Sequence, residues 1–403
     1  MIYRKKFLFV FIILGFLAQD LSGLSANILS ERTYRKLEKI QKSIERRNFE
    51  DAEKKLLALV KKTKNDYAKA IAFQTFAALY LEQDKLSAAA SYWQQCLDLN
   101  VFDVALANSI RYNLALLYLS MNQTEKTLGI LLPWINSSPK TVPAKAYMLL
   151  ASVYAQTDSY IDAIRLACVA LQKVKKAPVS WYYFLSGLYV RSEQWQNAID
   201  TLLLIIEREP NKANNYLQLA GLYQRIEDFQ NAISVLEIAD KKEFLTTEQE
   251  ALRLIRLYLA EGMPYKATKK LQTYMQKGIV EQNEANQRLL AVAWRNSAEI
   301  DKSASAYIRL AEISQSQVHL YTAAQLLESV DNCKRAVEIL QFDINTLPLS
   351  KQGDALLLAG RCNVKIGQNT EAMRYFELAQ KYKSVQESAV EWIKFVAALK
   401  KNY

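Results

Sequence analysis

The chain has 403 residues, 51% of them hydrophobic, with only 10 glycines and 7 prolines and a net charge of +11. Sheets and long loops need more turn formers than this, which excludes a β-rich domain and favours helices joined by short connections. A basic excess suits acidic proteins, lipid headgroups or nucleic acid as partners, and is equally what a solvated exterior looks like.

The first element in chain order is a leader over 1–26. Arg4, Lys5 and Lys6 make a positive start, Phe7 to Ala18 an apolar core, and small residues run from Ser22 to Ala26. This is the layout of a secretory signal peptide, with cleavage expected after Ala26 or Gly23. An uncleaved anchor stays open as the alternative, although the apolar core is short for a membrane span. No later stretch is long and apolar enough to cross a membrane, so none is expected after cleavage. Residues 27–69 read as a degenerate repeat or capping hairpin, with Ile40, Ala52, Leu56 and Leu59 in helical register. Residues 31–66 hold 12 Lys and Arg against 7 Asp and Glu, which leaves peripheral membrane contact open.

From 70 to 383 one pattern recurs. In Trp181 to Pro210, Tyr182, Leu185, Ser186 and Tyr189 share one helical face. The polar run Arg191 to Asn197 breaks the pattern, Ala198, Leu202 and Ile205 mark a second face, and Pro210 ends it. The unit is therefore a helix hairpin with an apolar stripe on each helix. Copies recur upstream and downstream, and the anchor residues Tyr80, Tyr118, Tyr154, Tyr189, Tyr223 and Tyr258 lie 38, 36, 35, 34 and 35 residues apart. A lone hairpin buries too little to persist, so such units stack on their neighbours. The last segment, 384–403, reads as a capping helix, with Ala389, Trp392, Ile393 and Val396 on one face.

Residue chemistry points away from catalysis. His319 is the one histidine, and the cysteines at 96, 168, 333 and 362 form no CxxC motif. No metal site and no cofactor are expected from such a set. Phosphate-binding and nucleophile-elbow signatures are absent. Cys333 and Cys362 fall in adjacent repeats, so a pairing between them stays open; the four otherwise read as small core fillers.

At the anchor positions the chain resembles the tetratricopeptide repeat family, most strongly from 70 to 275. Leu327 and Asn363 depart from the family's pattern where Tyr is expected. The resemblance implies an all-α, right-handed α-solenoid of about ten helix-turn-helix repeats with a C-terminal capping helix. It also implies a concave groove lined by the first helix of each pair, at the second, fifth, ninth, twelfth and thirteenth repeat positions. Those positions include Tyr112, Tyr183, Arg191, Asn214, Arg225, Arg256, Arg288 and Arg295. Arginine forks suit carboxylates, so the expected partner is a protein or an extended, acidic peptide; the alternative is that these arginines pair with local glutamates such as Glu193, Glu227 and Glu261. Family members that clamp a chain-terminal carboxylate carry Lys at the fifth position, where this chain has Gln74, Tyr112, Met148, Tyr183, Leu217 and Leu252.

The whole layout resembles the periplasmic repeat proteins that accompany TonB-type systems of Gram-negative bacteria. It shares with them a leader, about ten repeats and a final unit from Arg361 to Phe395. That resemblance implies a non-catalytic periplasmic scaffold near TonB, ExbB and ExbD in uptake of iron complexes; the alternative is an adaptor in outer-membrane or cell-wall assembly. RNA-binding helical arrays share a period near 35, but the export leader argues against nucleic acid as a partner. A hydrolase would need two carboxylates converging in a cleft, which such repeats do not obviously supply.

Overall fold

The computed structural model describes residues 29–401, so the leader expected over 1–26 lies outside the described residues. Among the described residues every regular element is helical, with no strand. Contacts between Cα atoms divide the chain into two compact units, Met1–Leu204 and Ile205–Tyr403. The first holds α1 (Glu31–Glu45), α2 (Phe49–Lys62), α3 (Asp66–Glu82), α4 (Leu86–Asp98), α5 (Val104–Ser120), α6 (Thr124–Ser137), α7 (Ala144–Gln156), α8 (Tyr160–Gln172) and α9 (Val179–Arg191). The dividing point falls inside α10 (Trp195–Arg208). The second holds α11 (Ala213–Arg225), α12 (Phe229–Lys241), α13 (Glu248–Ala260), α14 (Pro264–Gln276), α15 (Glu284–Asn296), α16 (Ile300–Ser314) and α17 (Gln317–Ser329). After these come the short α18 (Cys333–Ile339), a single 3-10 turn (Ile344–Thr346), α19 (Leu349–Lys365), α20 (Asn369–Ala379) and α21 (Gln386–Lys401).

Within each unit a helix packs mainly on its chain neighbours, and some first helices also touch the next first helix, as α1 does α3 and α5 does α7. The helices start where local chemistry supplies a cap. Ser30, Asn48, Asn65, Asp103, Asp228 and Asn283 each accept a backbone N–H of the first turn, as short polar side chains do at that position. Thr247 and Glu250 form a reciprocal pair at the start of α13, satisfying two orphan donors at once.

The turn inside each hairpin is built one way. The left-handed region is occupied once per turn, at Arg47, Asp84, Asn122, Asp158, Glu193, Glu227, Gly262, Ala298, Asp331 and Gly367, with φ between 57° and 79°. The next residue's N–H then donates to a carbonyl five residues back, at 2.7–3.1 Å. This is the Schellman closure of a helix end. The accepting carbonyls belong to Ser43, Tyr80, Tyr118, Tyr154, Tyr189, Tyr223, Tyr258, Trp294, Leu327 and Asn363. The six anchor tyrosines are thus the residues on which the hairpins close. Leu327 and Asn363 accept the same bond, so the register holds there without tyrosine.

Successive pairs are joined by polar contacts as well as by apolar ones. The phenols of Tyr80 and Tyr258 donate to Glu53 and Glu237 on the second helix of the preceding pair, at 2.8 and 2.7 Å. Tyr147 and Tyr216 donate to the carbonyls of Pro139 and Pro210, at 3.1 and 2.9 Å, so these two prolines offer their carbonyls to the next hairpin. Arg361 grips Glu328 through Nε and Nη2, at 2.7 and 2.8 Å. At the N-terminal end, Ile40, Ile44, Ala52, Leu56 and Leu59 form one core with Phe76 and Leu79 of α3. At the other end, Ala389 and Val396 of α21 are buried, and the Trp392 ring stacks on Phe376 at 5.5 Å. All four cysteines are free thiols, so the pairing of Cys333 with Cys362 is not made.

Candidate partner-binding surface

The eight groove residues divide between the units. Tyr112, Tyr183 and Arg191 lie in the first, and Asn214, Arg225, Arg256, Arg288 and Arg295 in the second.

In the first unit, three successive first helices converge on a hollow of about 210 Å³. Tyr112 of α5, Lys145, Met148, Leu149 and Ser152 of α7, and Trp181 and Phe184 of α9 line it. The repeat register explains why. Tyr112 and Met148, at the fifth positions of α5 and α7, are half-buried, and so are Trp181 and Phe184, the bulky residues at the third and sixth positions of α9, while Leu149 at the sixth position of α7 is buried. Lys145 stands exposed at the rim, its ammonium 4.3 Å from the centroid of the Tyr112 ring. Contact of that kind is a cation–π interaction. Burial pushes the Tyr112 phenol up and the Lys145 ammonium down from their ordinary values, because loss of water disfavours both charged forms. Of the expected residues, Tyr112 is therefore in the hollow. Tyr183 is half-buried on the same helix as Trp181 and Phe184 but is not part of the lining, and Arg191 instead sits over the Tyr160 ring at 5.9 Å.

In the second unit the arginines differ in their surroundings. All four are exposed, as is Asn214. Arg288 is engaged within its own helix, where Nη2 lies 2.8 Å from Glu284, and it also lies 3.4 Å from Nε2 of His319. His319 is buried, stacks on Tyr307 at 6.3 Å, and has its pKa lowered first by burial and then by Arg288. Arg256 and Arg295 have no ion-pair partner among the described residues. The alternative of pairing with a local glutamate is met at Arg288, through Glu284. A further arginine escaped the sequence reading. Arg253 donates from Nε to Gln224 at 2.6 Å and from Nη1 to the Leu217 carbonyl at 3.1 Å, tying α13 to α11. Gly221 leaves the space for this guanidinium, since a Cβ there would lie 3.3 Å from Arg253 Nη2.

Two other hollows in the second unit have carboxylates in their own walls, which pair with some of their cations. In one, of about 350 Å³, Arg335 bonds Ser305 and Asp301, and Lys302 covers the Trp294 ring at 4.7 Å. In the other, Lys266 and Lys270 pair with Glu237 and Asp240. The hollow beside Tyr112 has a single cation and no carboxylate in its lining.

No protein-family model matches this sequence, and neither does any curated protein. Among solved structures, the chain is similar to a chain of the Naa15/Naa10 complex bound to HypK-THB. There the identity is 12% and the TM-score 0.48, covering 83% of this chain and 61% of that one. It is also similar to a tetratricopeptide repeat protein from Parabacteroides merdae, at 14% identity and TM-score 0.32, covering 63% and 98%. A third is YrrB, described as a tetratricopeptide protein with an unusual peptide-binding site, at 15% identity and TM-score 0.32, covering 57% and 96%. This chain thus spans about three fifths of the length of the chain in the Naa15 complex. Its own helix pairs, their period and their common closing bond make it an all-α protein of tetratricopeptide-like repeats.

Proposed function

We propose that this protein is a non-catalytic, exported scaffold that holds a partner polypeptide on the first helices of its repeats. The observation that carries the reading is the set of side chains those helices leave exposed. In the first unit it is an aromatic hollow with a basic rim, and in the second it includes Arg256 and Arg295 without ion-pair partners among the described residues. Such surfaces suit an extended, acidic segment, because guanidinium and ammonium groups that lack local anions gain most from a ligand's carboxylates. Export is supported by the charged, apolar and small-residue runs of the leader. We place the scaffold in the periplasm, accessory to a TonB–ExbB–ExbD system for uptake of iron complexes. The support for that placement is the layout of leader, repeats and final unit.

The test is site-specific photo-cross-linking in intact cells, from a reactive residue at Tyr183 or Arg225, with cell fractionation alongside. Adducts with TonB, ExbB or ExbD in the periplasmic fraction are expected, and they should weaken when Arg256 and Arg295 are both changed to Glu. A mature chain found in the cytosol would end the envelope reading. Adducts indifferent to the double charge reversal would remove the second unit from the binding surface.

A further inference from the structure

The three first helices around the hollow carry no anion, a feature they share with α11 but not with α3 or α13. α5, α7 and α9 contain no Asp or Glu at all, and their cations are Arg111, Lys145 and Arg191. By contrast α3 begins with Asp66 and ends with Glu82, and α13 carries Glu248 and Glu250. Exposed helix faces ordinarily mix both signs to stay soluble and to form local pairs. A face stripped of anions and furnished with Tyr112, Trp181 and Phe184 repels cationic segments and offers apolar surface together with one positive charge. Lys145 is the focus of that charge. It has no carboxylate partner among the described residues and rests on the Tyr112 ring. The ring fixes where the ammonium sits while leaving its N–H donors free for an incoming oxygen.

We infer that the hollow between Tyr112, Lys145, Trp181 and Phe184 is a binding site for an apolar side chain that has a carboxylate beside it on an extended polypeptide. The apolar group enters between the Met148, Trp181 and Phe184 side chains, and the carboxylate meets Lys145 at the rim. The inference rests on the scaffold reading and narrows it to one place and one ligand chemistry. The carboxylate is an Asp or Glu side chain within the segment, because the fifth-position lysines that clamp a chain end are missing here; a chain end in its place is an outcome the experiment separates.

The full mature chain is titrated with fluorescent hexapeptides, acetylated and amidated, with anisotropy as the readout. The first contains Asp-Phe at its centre, the second Lys-Phe and the third Asp-Ala; a fourth ends in Phe with a free carboxylate. The site requires the Asp-Phe peptide to bind at least about tenfold more tightly than the Lys-Phe and Asp-Ala peptides. Tighter binding of the free-ended peptide than of the Asp-Phe peptide overturns the side-chain assignment. Lys145→Glu should reverse the preference toward the Lys-Phe peptide, and Tyr112→Ala should weaken the acidic peptide by about tenfold. Circular dichroism checks that both variants keep their helices. Reversal of charge preference is a readout that partial unfolding cannot mimic. Equal affinity of the wild type for all four peptides, or an unchanged preference in Lys145→Glu, overturns the site. Partner cross-links that persist in both variants also count against it while leaving the scaffold standing. Absence of any cross-linked partner in the wild type defeats the scaffold reading, whatever the peptides do.

Discussion

Gly360 shows how much one missing methyl group decides. An added Cβ there would overlap the ring of Phe376, which is fully buried and stacked against Trp392. The ring is trapped between α19 and α21 and has little room to move. Gly360→Ala is therefore expected to lose about 1–3 kcal/mol through overpacking, read as a lower urea midpoint. Gly187→Ala is the control, because nothing lies within 4 Å of a Cβ at that helical position; it should be neutral or stabilising by up to about 1 kcal/mol. The binding hollow was legible only in part. Tyr112 follows from its repeat position, whereas Trp181 falls at the third position, which is buried at Ile110, Ala146, Asn215 and Asn286, and Phe184 at the sixth, which is not among the expected groove positions. Their half-exposure is a matter of side-chain volume, which periodicity does not report. The run of first helices without carboxylates, α5, α7, α9 and α11, is a signal in the sequence that takes in this region without singling it out.

At the scale of the element, the hairpin turns explain a chain so poor in glycine. Eight of the ten left-handed turn positions carry a side chain, and only Gly262 and Gly367 have none. An L-residue in this region costs roughly 1–2 kcal/mol, which the closing bond to the anchor carbonyl and the packing of both helices offset. Gly262→Ala should accordingly destabilise by about 1 kcal/mol, since no steric clash adds to the backbone term. Ala298→Gly should be neutral or stabilising by less than about 1 kcal/mol, because the relief of strain is opposed by the greater freedom of glycine in the unfolded chain. Matched denaturation curves of the two variants check both signs, and a stabilised Gly262→Ala would refute the account. Side chains at these positions also explain why the turns had to be read from the break in apolar spacing. Arg, Glu and Ala at the left-handed residue are not turn signals by themselves. The apolar stripes and the terminal prolines were visible because burial and a missing N–H leave marks in composition; the backbone angles that join them do not.

For the molecule as a whole, the tyrosines set the response to alkali. The phenols of Tyr80, Tyr258 and Tyr274 are held above their ordinary value, first by burial and then by the carboxylates of Glu53, Glu237 and Asp240 to which they donate. Burial pushes Tyr321 up to about 12. A raised folded pKa means that the stabilisation is fully present below the unfolded value of about 10 and is lost as pH climbs through the folded one. The buried Cys96 thiol, pushed up to about 12, acts in the same direction but from a lower unfolded value of about 8.5. The urea midpoint should thus begin to fall near pH 9 and drop more steeply beyond about pH 10, while tyrosinate absorbance in the folded protein lags behind that of the denatured chain. A midpoint that stays level to pH 11 would contradict these burials. The repeat period and helix order were open to reading at this scale, because each pair repeats one pattern of burial. The division between Leu204 and Ile205 was not, since it falls inside a helix with no shift in composition to announce it. The closing bonds carry one more implication. An anchor tyrosine such as Tyr80 or Tyr258 fastens its own hairpin with its carbonyl and the previous one with its hydroxyl. Those two duties reside in different atoms, so trimming the hydroxyl alone, as in a tyrosine-to-phenylalanine exchange, would slacken the link between neighbours and leave each hairpin latched. Cooperativity along the array could in that way be tuned one junction at a time.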